Sequence, residues 1–306
     1  MLRAGFQRWA ASAVAALLVG ALAACGAEDA GEPEKAAPGE QPSPSETASS
    51  SPSPQASKSP RRAEHSGRPI VGRAPPKWLG KRLLPRTADG FGEVRRTPVE
   101  LVQRRFNLPD QLAALPGNGF ASRVTSPAPD SVIARSTWKQ GCPVAADELA
   151  WIRLAYWGFD GERHTGELLV NASVAGDIVT VFRQLYRARF PIEEMRITRL
   201  EELDAPPTGD GNNTGSFACR PTRGASSYSQ HAYGLAVDVN PFQNPYVNDD
   251  VVLPELASSY LERGWMRPGM IAPNGPVFRA FASIGWEWGG GWQALKDYQH
   301  FSQNGR

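Results

Sequence analysis

The sequence predicts a mixed α+β fold for the globular part of the chain. Helix-like and strand-like patterns interleave after Cys142, without the regular β-α-β alternation of a parallel sheet. Residues 174–190 predict a long amphipathic helix that Pro191 ends. Residues 166–173 alternate in hydrophobicity, which is typical of a strand. These observations favour helices and strands in one mixed architecture.

Shorter patterns assign the remaining elements. Residues 204–216 are rich in Pro, Gly and Asn and predict a loop. Further helices are predicted over residues 97–106, 147–156 and 276–284, and further strands over residues 195–200 and 235–239.

The first 25 residues predict an export signal rather than part of the fold. Basic residues precede an apolar run over residues 10–24, which is short for a membrane span. The run ends in Leu-Ala-Ala-Cys25, which resembles the lipoprotein box of bacteria. We therefore expect a lipid on Cys25 that anchors the protein to the outer face of the cytoplasmic membrane. An ordinary secretion signal with an incidental cysteine is the alternative, and it also exports the protein.

Residues 26–95 predict a disordered stalk. Up to about residue 70 this segment is rich in Pro and Ser and has no aromatic residue, so it cannot bury enough apolar surface to fold. The globular domain is expected over residues 96–306. Its first part, up to about residue 135, predicts an irregular extension that is either packed on the domain or loosely tethered to it.

Charge and glycine patterns argue against several partners. The chain has 33 Lys and Arg and 31 Asp and Glu, which gives no indication of nucleic acid. The run Gly289–Gly291 lacks the strand–helix context of a phosphate loop, so no nucleotide is expected.

Cys142 and Cys219 are expected to form a disulfide, because free thiols are unusual outside the cytoplasm. Two buried free thiols are the alternative.

The segment from Ser229 to Pro241 contains two candidate metal ligands, His231 and Asp238. An imidazole nitrogen and a carboxylate oxygen both bind zinc. On the predicted strand, the side chain of Asp238 lies on the same side as the small residue Ala236 and opposite the flanking valines. A buried unpaired carboxylate is costly, and a cation is its simplest partner.

A second motif near the C-terminal end supplies the third candidate ligand, His300. Three protein ligands leave a fourth position for water, which is the pattern of catalytic zinc sites. Zinc acidifies such a water, and a nearby carboxylate can accept its proton. Asp297, three residues before His300, is the candidate base. Trp288 and Trp292 are expected to pack rather than to stack on substrate.

Together, the two motifs resemble those of zinc D-alanyl-D-alanine carboxypeptidases and L-alanyl-D-glutamate peptidases, the VanY-like and endolysin-like group. The resemblance covers roughly residues 140–306. It implies a central antiparallel sheet with flanking helices, zinc on that sheet, and peptidoglycan stem peptides as substrates. The pattern S-x-H-x-x-G-x-A-x-D is matched by Ser229, His231, Gly234, Ala236 and Asp238, and the pattern D-x-x-H-F by Asp297, His300 and Phe301.

The resemblance also implies an arginine that stabilises the developing oxyanion. Arg220 is the first candidate because it closely precedes the first motif, and Arg196 and Arg199 are runners-up. Ser229 is expected either to hydrogen-bond a ligand or substrate or to cap a turn.

Three functional hypotheses follow. The segment Asn244–Tyr246 and an aspartate base resemble the L-alanyl-D-glutamate endopeptidase branch, which is the leading hypothesis. A D-alanyl-D-alanine carboxypeptidase is the alternative within the family. A non-catalytic zinc domain that binds cell wall or a partner protein is a hypothesis of another class, and the presence of Asp297 argues against it.

Overall fold

Short strands and a few helices make up the described part of the protein. The computed structural model describes residues 74–222 and 226–305. These residues belong to one unit that spans residues 64–306. The predicted signal, Cys25 and the first part of the predicted stalk lie outside the described residues. Among the residues that are described, no helix has the length and hydropathy needed to cross a membrane.

The structure contains three α-helices and eleven strands within these ranges. The helices are α1 (Asp130–Ile133), α2 (Ala175–Arg187) and α3 (Pro276–Ala282). The strands are β1 (Ser122–Thr125), β2 (Leu149–Trp157), β3 (Arg163–Asn171), β4 (Glu194–Met195), β5 (Asn213–Thr214), β6 (Ala236–Asp238), β7 (Tyr246–Asn248), β8 (Val251–Leu253), β9 (Glu287–Trp288), β10 (Lys296–Asp297) and β11 (His300–Ser302).

The strands form several small sheets. Three antiparallel sheets have the orders β1-β2-β3, β10-β7-β8 and β6-β11-β9, and β4 and β5 form a parallel pair. The mixed α+β class is confirmed, but the described residues do not form the single central sheet that was predicted. Every strand from β4 to β11 has only two or three residues, so the strands form short, separate ladders of hydrogen bonds.

The largest core lies between α2, α3 and the sheet of β2 and β3. The apolar face predicted for the long helix is confirmed, since Ile178, Val181, Phe182 and Leu185 are all buried. The helix ends at Arg187, three residues earlier than predicted. The strand predicted over residues 166–173 and the helix over residues 276–284 are also present, as β3 and α3.

The helix predicted over residues 147–156 is wrong, because Leu149–Trp157 forms strand β2. This strand is central in its sheet and is buried on both faces, as the positions of Ile152 and Ala155 show. A strand that is buried on both faces reads as a continuous apolar run, which periodicity alone does not distinguish from a buried helix.

Two shorter predictions also need correction. Residues 97–106 contain a turn over residues 99–103 rather than a helix. Val99 is 83% exposed while Leu101 is fully buried, so the apolar spacing of the segment does not mark one helical face. The strand predicted over residues 195–200 is reduced to β4, Glu194–Met195.

The disordered stalk was predicted to extend to residue 95. Its described part, residues 74–95, is instead packed on the domain. Leu84 is buried, and the amides of Gly80 and Gly92 donate to the carboxylates of Asp210 and Glu255. The irregular extension that follows, up to about residue 135, was expected to be either packed or loosely tethered, and it is packed on the domain. Its Arg104 is 1% exposed and forms a bidentate ion pair with the buried Glu193.

The predicted disulfide between Cys142 and Cys219 is present. It closes a loop across a sequence separation of 77 residues and ties the segment before Arg220 to the first half of the domain.

We expect replacement of both cysteines by serine to lower the free energy of unfolding by about 4 kcal/mol, because the cross-link restricts the unfolded chain. Urea denaturation of the oxidised protein and of the double variant measures the difference. An unchanged midpoint would contradict this expectation. Ser173→Ala, at an exposed position, serves as a control.

Candidate metal centre

Two adjacent strands bring the predicted ligands together. His300 in β11 is the direct register partner of Asp238 in β6. Paired residues on neighbouring strands project from the same face, with Cβ atoms about 5 Å apart. On the opposite face, Val237 and Phe301 enter the main core. The alternation predicted for this strand is therefore confirmed, and it places a carboxylate beside an imidazole.

The third ligand, His231, comes from a short 3-10 turn, Gln230–Tyr233. Gly234 ends this turn with φ +68°, and an added Cβ there would lie 2.4 Å from the backbone nitrogen of Asn171. A side chain at this position would be strained and would also clash. Gly234 thus allows the turn to lie against β3 and to present His231 to the strand pair.

The three candidate ligand atoms form a nearly equilateral triangle. Asp238 Oδ1 lies 3.2 Å from His231 Nε2 and 3.1 Å from His300 Nδ1, and the two nitrogens are 3.2 Å apart. Ligands about 2.1 Å from a tetrahedral zinc ion lie roughly 3.4 Å from one another. The donor set of two imidazole nitrogens and one carboxylate oxygen therefore fits zinc in both chemistry and spacing.

The orientation of His231 supports this fit. Its Nδ1 lies 2.6 Å from the carbonyl oxygen of Ser216, so this nitrogen donates its proton there. Nε2 then carries a lone pair that points towards Asp238 and His300. A second partner that fixes the tautomer is typical of histidine metal ligands. Because three electron-pair donors converge at close range, a cation is the natural occupant.

The electrostatics of Asp238 agree with a cation site. Burial disfavours its charged form, but the adjacent His231 and His300 outweigh burial and hold the pKa of Asp238 well below its usual range. The carboxylate is therefore ionised at neutral pH, as a metal ligand must be.

Asp297, the predicted base, lies close to the ligand triangle. Burial is the largest effect on its carboxyl group, followed by the charge of Asp238, and together they raise the pKa of Asp297 to about 6. Its Oδ1 is buried and has no hydrogen-bond partner. An acceptor of this kind beside a metal site is available to take a proton.

The comparison with known families bears on this arrangement. Residues 223–303 match a family model described as D-alanyl-D-alanine carboxypeptidase. This match supports a peptidase hydrolase, and it contains all three ligands and Asp297 but not Arg220. The comparisons found no match among curated proteins or solved structures.

The structure positions Arg220 near the motif without linking it to the ligands. Its carbonyl oxygen accepts a hydrogen bond from the amide of Ser229, and its guanidinium donates to the carbonyl of Pro221. Among the described residues, no contact joins that guanidinium to the ligand triangle. The runners-up point elsewhere, since Arg196 pairs with Glu194 and Glu202 and Arg199 donates to Gln111.

Ser229 caps the turn that carries His231. Its hydroxyl oxygen accepts a hydrogen bond from the amide of His231 at 3.3 Å. Of the two roles considered for Ser229 from the sequence, this contact corresponds to the cap.

The two tryptophans differ in their surroundings. Trp288 packs against Phe301 and donates its indole N–H to the carbonyl of Tyr298. The ring centre of Trp292 lies 5.5 Å from that of His300. Both observations agree with a packing role, but Trp292 packs on a ligand.

Sequence reasoning missed two neighbours of the site. Ser216 orients His231 through its backbone carbonyl, a group that carries no sequence signal. Gly289 lies against Asp297, and an added Cβ there would be 2.7 Å from the Asp297 carbonyl oxygen. The glycine run in the second motif was the available clue to this close approach.

Proposed function

We propose that this protein is a zinc-dependent peptidase that cleaves peptidoglycan stem peptides. The single observation that carries the proposal is the convergence of His231, Asp238 and His300 beside the buried Oδ1 of Asp297, which has no hydrogen-bond partner. The family match over residues 223–303 supports a peptidase that acts on cell-wall peptides.

Each residue has a role that its position allows. His231, Asp238 and His300 would hold the zinc ion, which supplies Lewis acidity to a water molecule and to a substrate carbonyl. Asp297 accepts a proton at Oδ1 and returns it to the leaving amine. Arg220 is the candidate for stabilising the negative charge that develops on the carbonyl oxygen. Its side chain would have to turn from the Pro221 carbonyl towards the substrate.

Incubation of purified protein with muropeptides tests the proposal. We expect stem-peptide cleavage that a chelator abolishes and added zinc restores, because the ion held by the three ligands would supply the Lewis acidity that activates water. Absence of chelator-sensitive cleavage of every stem peptide would contradict the proposal.

The bond that is cleaved separates two candidates within the family. The sequence motifs favour an L-alanyl-D-glutamate endopeptidase, whereas the description of the matching family favours a D-alanyl-D-alanine carboxypeptidase. Mass spectrometry of the digested muropeptides distinguishes them. Loss of one alanine identifies the carboxypeptidase, and cleavage after L-alanine identifies the endopeptidase. A zinc domain that only binds cell wall would retain muropeptides without changing their masses.

We also propose that the protein is exported and anchored to the outer face of the membrane through lipidated Cys25. The apolar run before Cys25 and the disulfide Cys142–Cys219 support this location. Cys25→Ser should release the protein from the membrane fraction while leaving it exported.

A further inference from the structure

A surface rich in arginine lies away from the candidate metal centre, at the C-terminal end of α2. Arg183, Arg187 and Arg189 are exposed there, and so is Arg279 of α3. An open groove lies between Arg187 and Arg279. We call these four residues the arginine surface.

The four guanidinium groups have no acidic partner within residues 74–222 and 226–305. Arg279 donates one hydrogen bond to the carbonyl of Asn274. The side chains of the other three donate none to any described residue. Arg104 and Arg196, by contrast, pair with glutamates. The arginine surface therefore presents at least three sets of free N–H donors on one face.

Aromatic rings hold two of these guanidinium groups in place. Arg189 lies 3.9 Å from the ring centre of Trp157, and Arg183 lies 5.4 Å from that of Phe120. Tyr186 connects the two rings, with centroid distances of 4.9 Å to Trp157 and 5.6 Å to Phe120. A guanidinium stacked on a ring keeps its N–H edge free while losing mobility, which suits bidentate recognition of phosphate.

The backbone at Arg189 provides a second, independent observation. Its φ is +52°, in the left-handed region where a helix usually ends with glycine or asparagine. An arginine at this position is strained, and such strain points to a functional constraint on the side chain. The strained position holds the side chain that stacks most closely on Trp157.

We propose that the arginine surface binds a phosphodiester-linked anionic polymer of the cell wall. Charge complementarity is the argument for a polyanion, and the planar N–H edges of guanidinium favour phosphate. A membrane surface fits less well, because none of the strongly exposed large apolar residues, such as Val99 and Trp265, lies in α2 or α3. The choice of a wall polymer rests on the proposed function, since a stem-peptide peptidase works beside such polymers.

Cosedimentation of purified full-length protein, in detergent solution, with poly(glycerol phosphate) coupled to beads tests this proposal. We expect saturable binding that weakens as salt increases. The triple variant Arg183→Gln, Arg187→Gln, Arg189→Gln should raise the Kd roughly ten-fold or more, because each exposed ion pair contributes modestly. The matched control, Lys77→Gln, Lys81→Gln, Arg96→Gln, removes the same charge from exposed positions elsewhere and should leave the Kd nearly unchanged.

A second variant separates binding from folding. Arg189→Gly relieves the left-handed strain, so its melting temperature should not fall, whereas its binding should weaken. The proposal would be overturned if the two triple variants weakened binding to poly(glycerol phosphate) equally. It would also be overturned if the wild type bound a carboxylate polymer as tightly as the phosphate polymer. Binding of the wild type to DNA or to anionic vesicles, without binding to the phosphate polymer, would have the same consequence. Cleavage of a short soluble stem peptide should be unchanged in every variant. The polymer-binding proposal and the peptidase proposal can therefore be contradicted separately.

Discussion

Asp297→Asn should lower kcat by about 10²–10⁴-fold, because it removes the carboxylate that accepts a proton beside the ligand triangle. The substitution keeps the size of the side chain but removes its basicity. We expect the metal content of the variant, measured by elemental analysis, to equal that of the wild type, since Asp297 is not a ligand. This combination separates a base from a ligand.

The pH dependence provides the matching readout. Burial and the charge of Asp238 raise the pKa of Asp297 to about 6, so protonation removes the base as the pH falls below that value. A bound cation would lower this pKa, so kcat/KM of the wild type should fall in acid at or below pH 6. The residual kcat/KM of Asp297→Asn should not show this fall in acid. Asp249→Asn, at an exposed left-handed turn position that asparagine tolerates, should behave as the wild type.

A different outcome would identify another role for Asp297. Loss of metal together with activity would make it a ligand, and full activity with bound metal would rule it out as the base. If a wall-binding property were the only measurable one and survived Asp297→Asn, the non-catalytic zinc domain would be favoured.

His300→Ala should abolish stoichiometric zinc binding and all activity, because it leaves two ligands where the structure provides three. The wild type should bind one zinc ion per chain, and zinc should raise its melting temperature by mass action. We expect no such rise for His300→Ala. Calorimetry with and without zinc, together with elemental analysis, measures both effects.

A second histidine serves as the control. His164 lies between Asp110 and Asp160 and does not belong to the ligand triangle. His164→Ala removes the same side chain but should keep one zinc ion and the zinc-dependent rise in melting temperature. Equal zinc content in the two variants would show that His300 is not a ligand.

The sequence predicted most of the site because its residues sit in two short motifs with fixed local geometry. Alternation along β6 places Asp238 opposite the core-facing Val237, and this follows directly from strand periodicity. The pairing of His300 with Asp238 is a long-range contact, across 62 residues, which no local pattern specifies. The resemblance to zinc peptidases supplied that link before the structure did.

The fold was less predictable where burial is two-sided or interactions are distant. Strand β2 has apolar residues on both faces, so its sequence resembles a buried helix. Residues 74–95 combine prolines and charged residues with apolar ones such as Leu84, and distant contacts such as that of Gly92 with Glu255 keep them in place. Their packing depends on groups more than 100 residues away, which local composition does not reveal.

The position of β11 in its sheet also has a consequence for how the site can open. This strand pairs with both β6 and β9 and so lies at the centre of its sheet. Release of β11 would separate His300 from Asp238 and would also withdraw Phe301 from the main core. Local unfolding would therefore remove the metal site and loosen the core together.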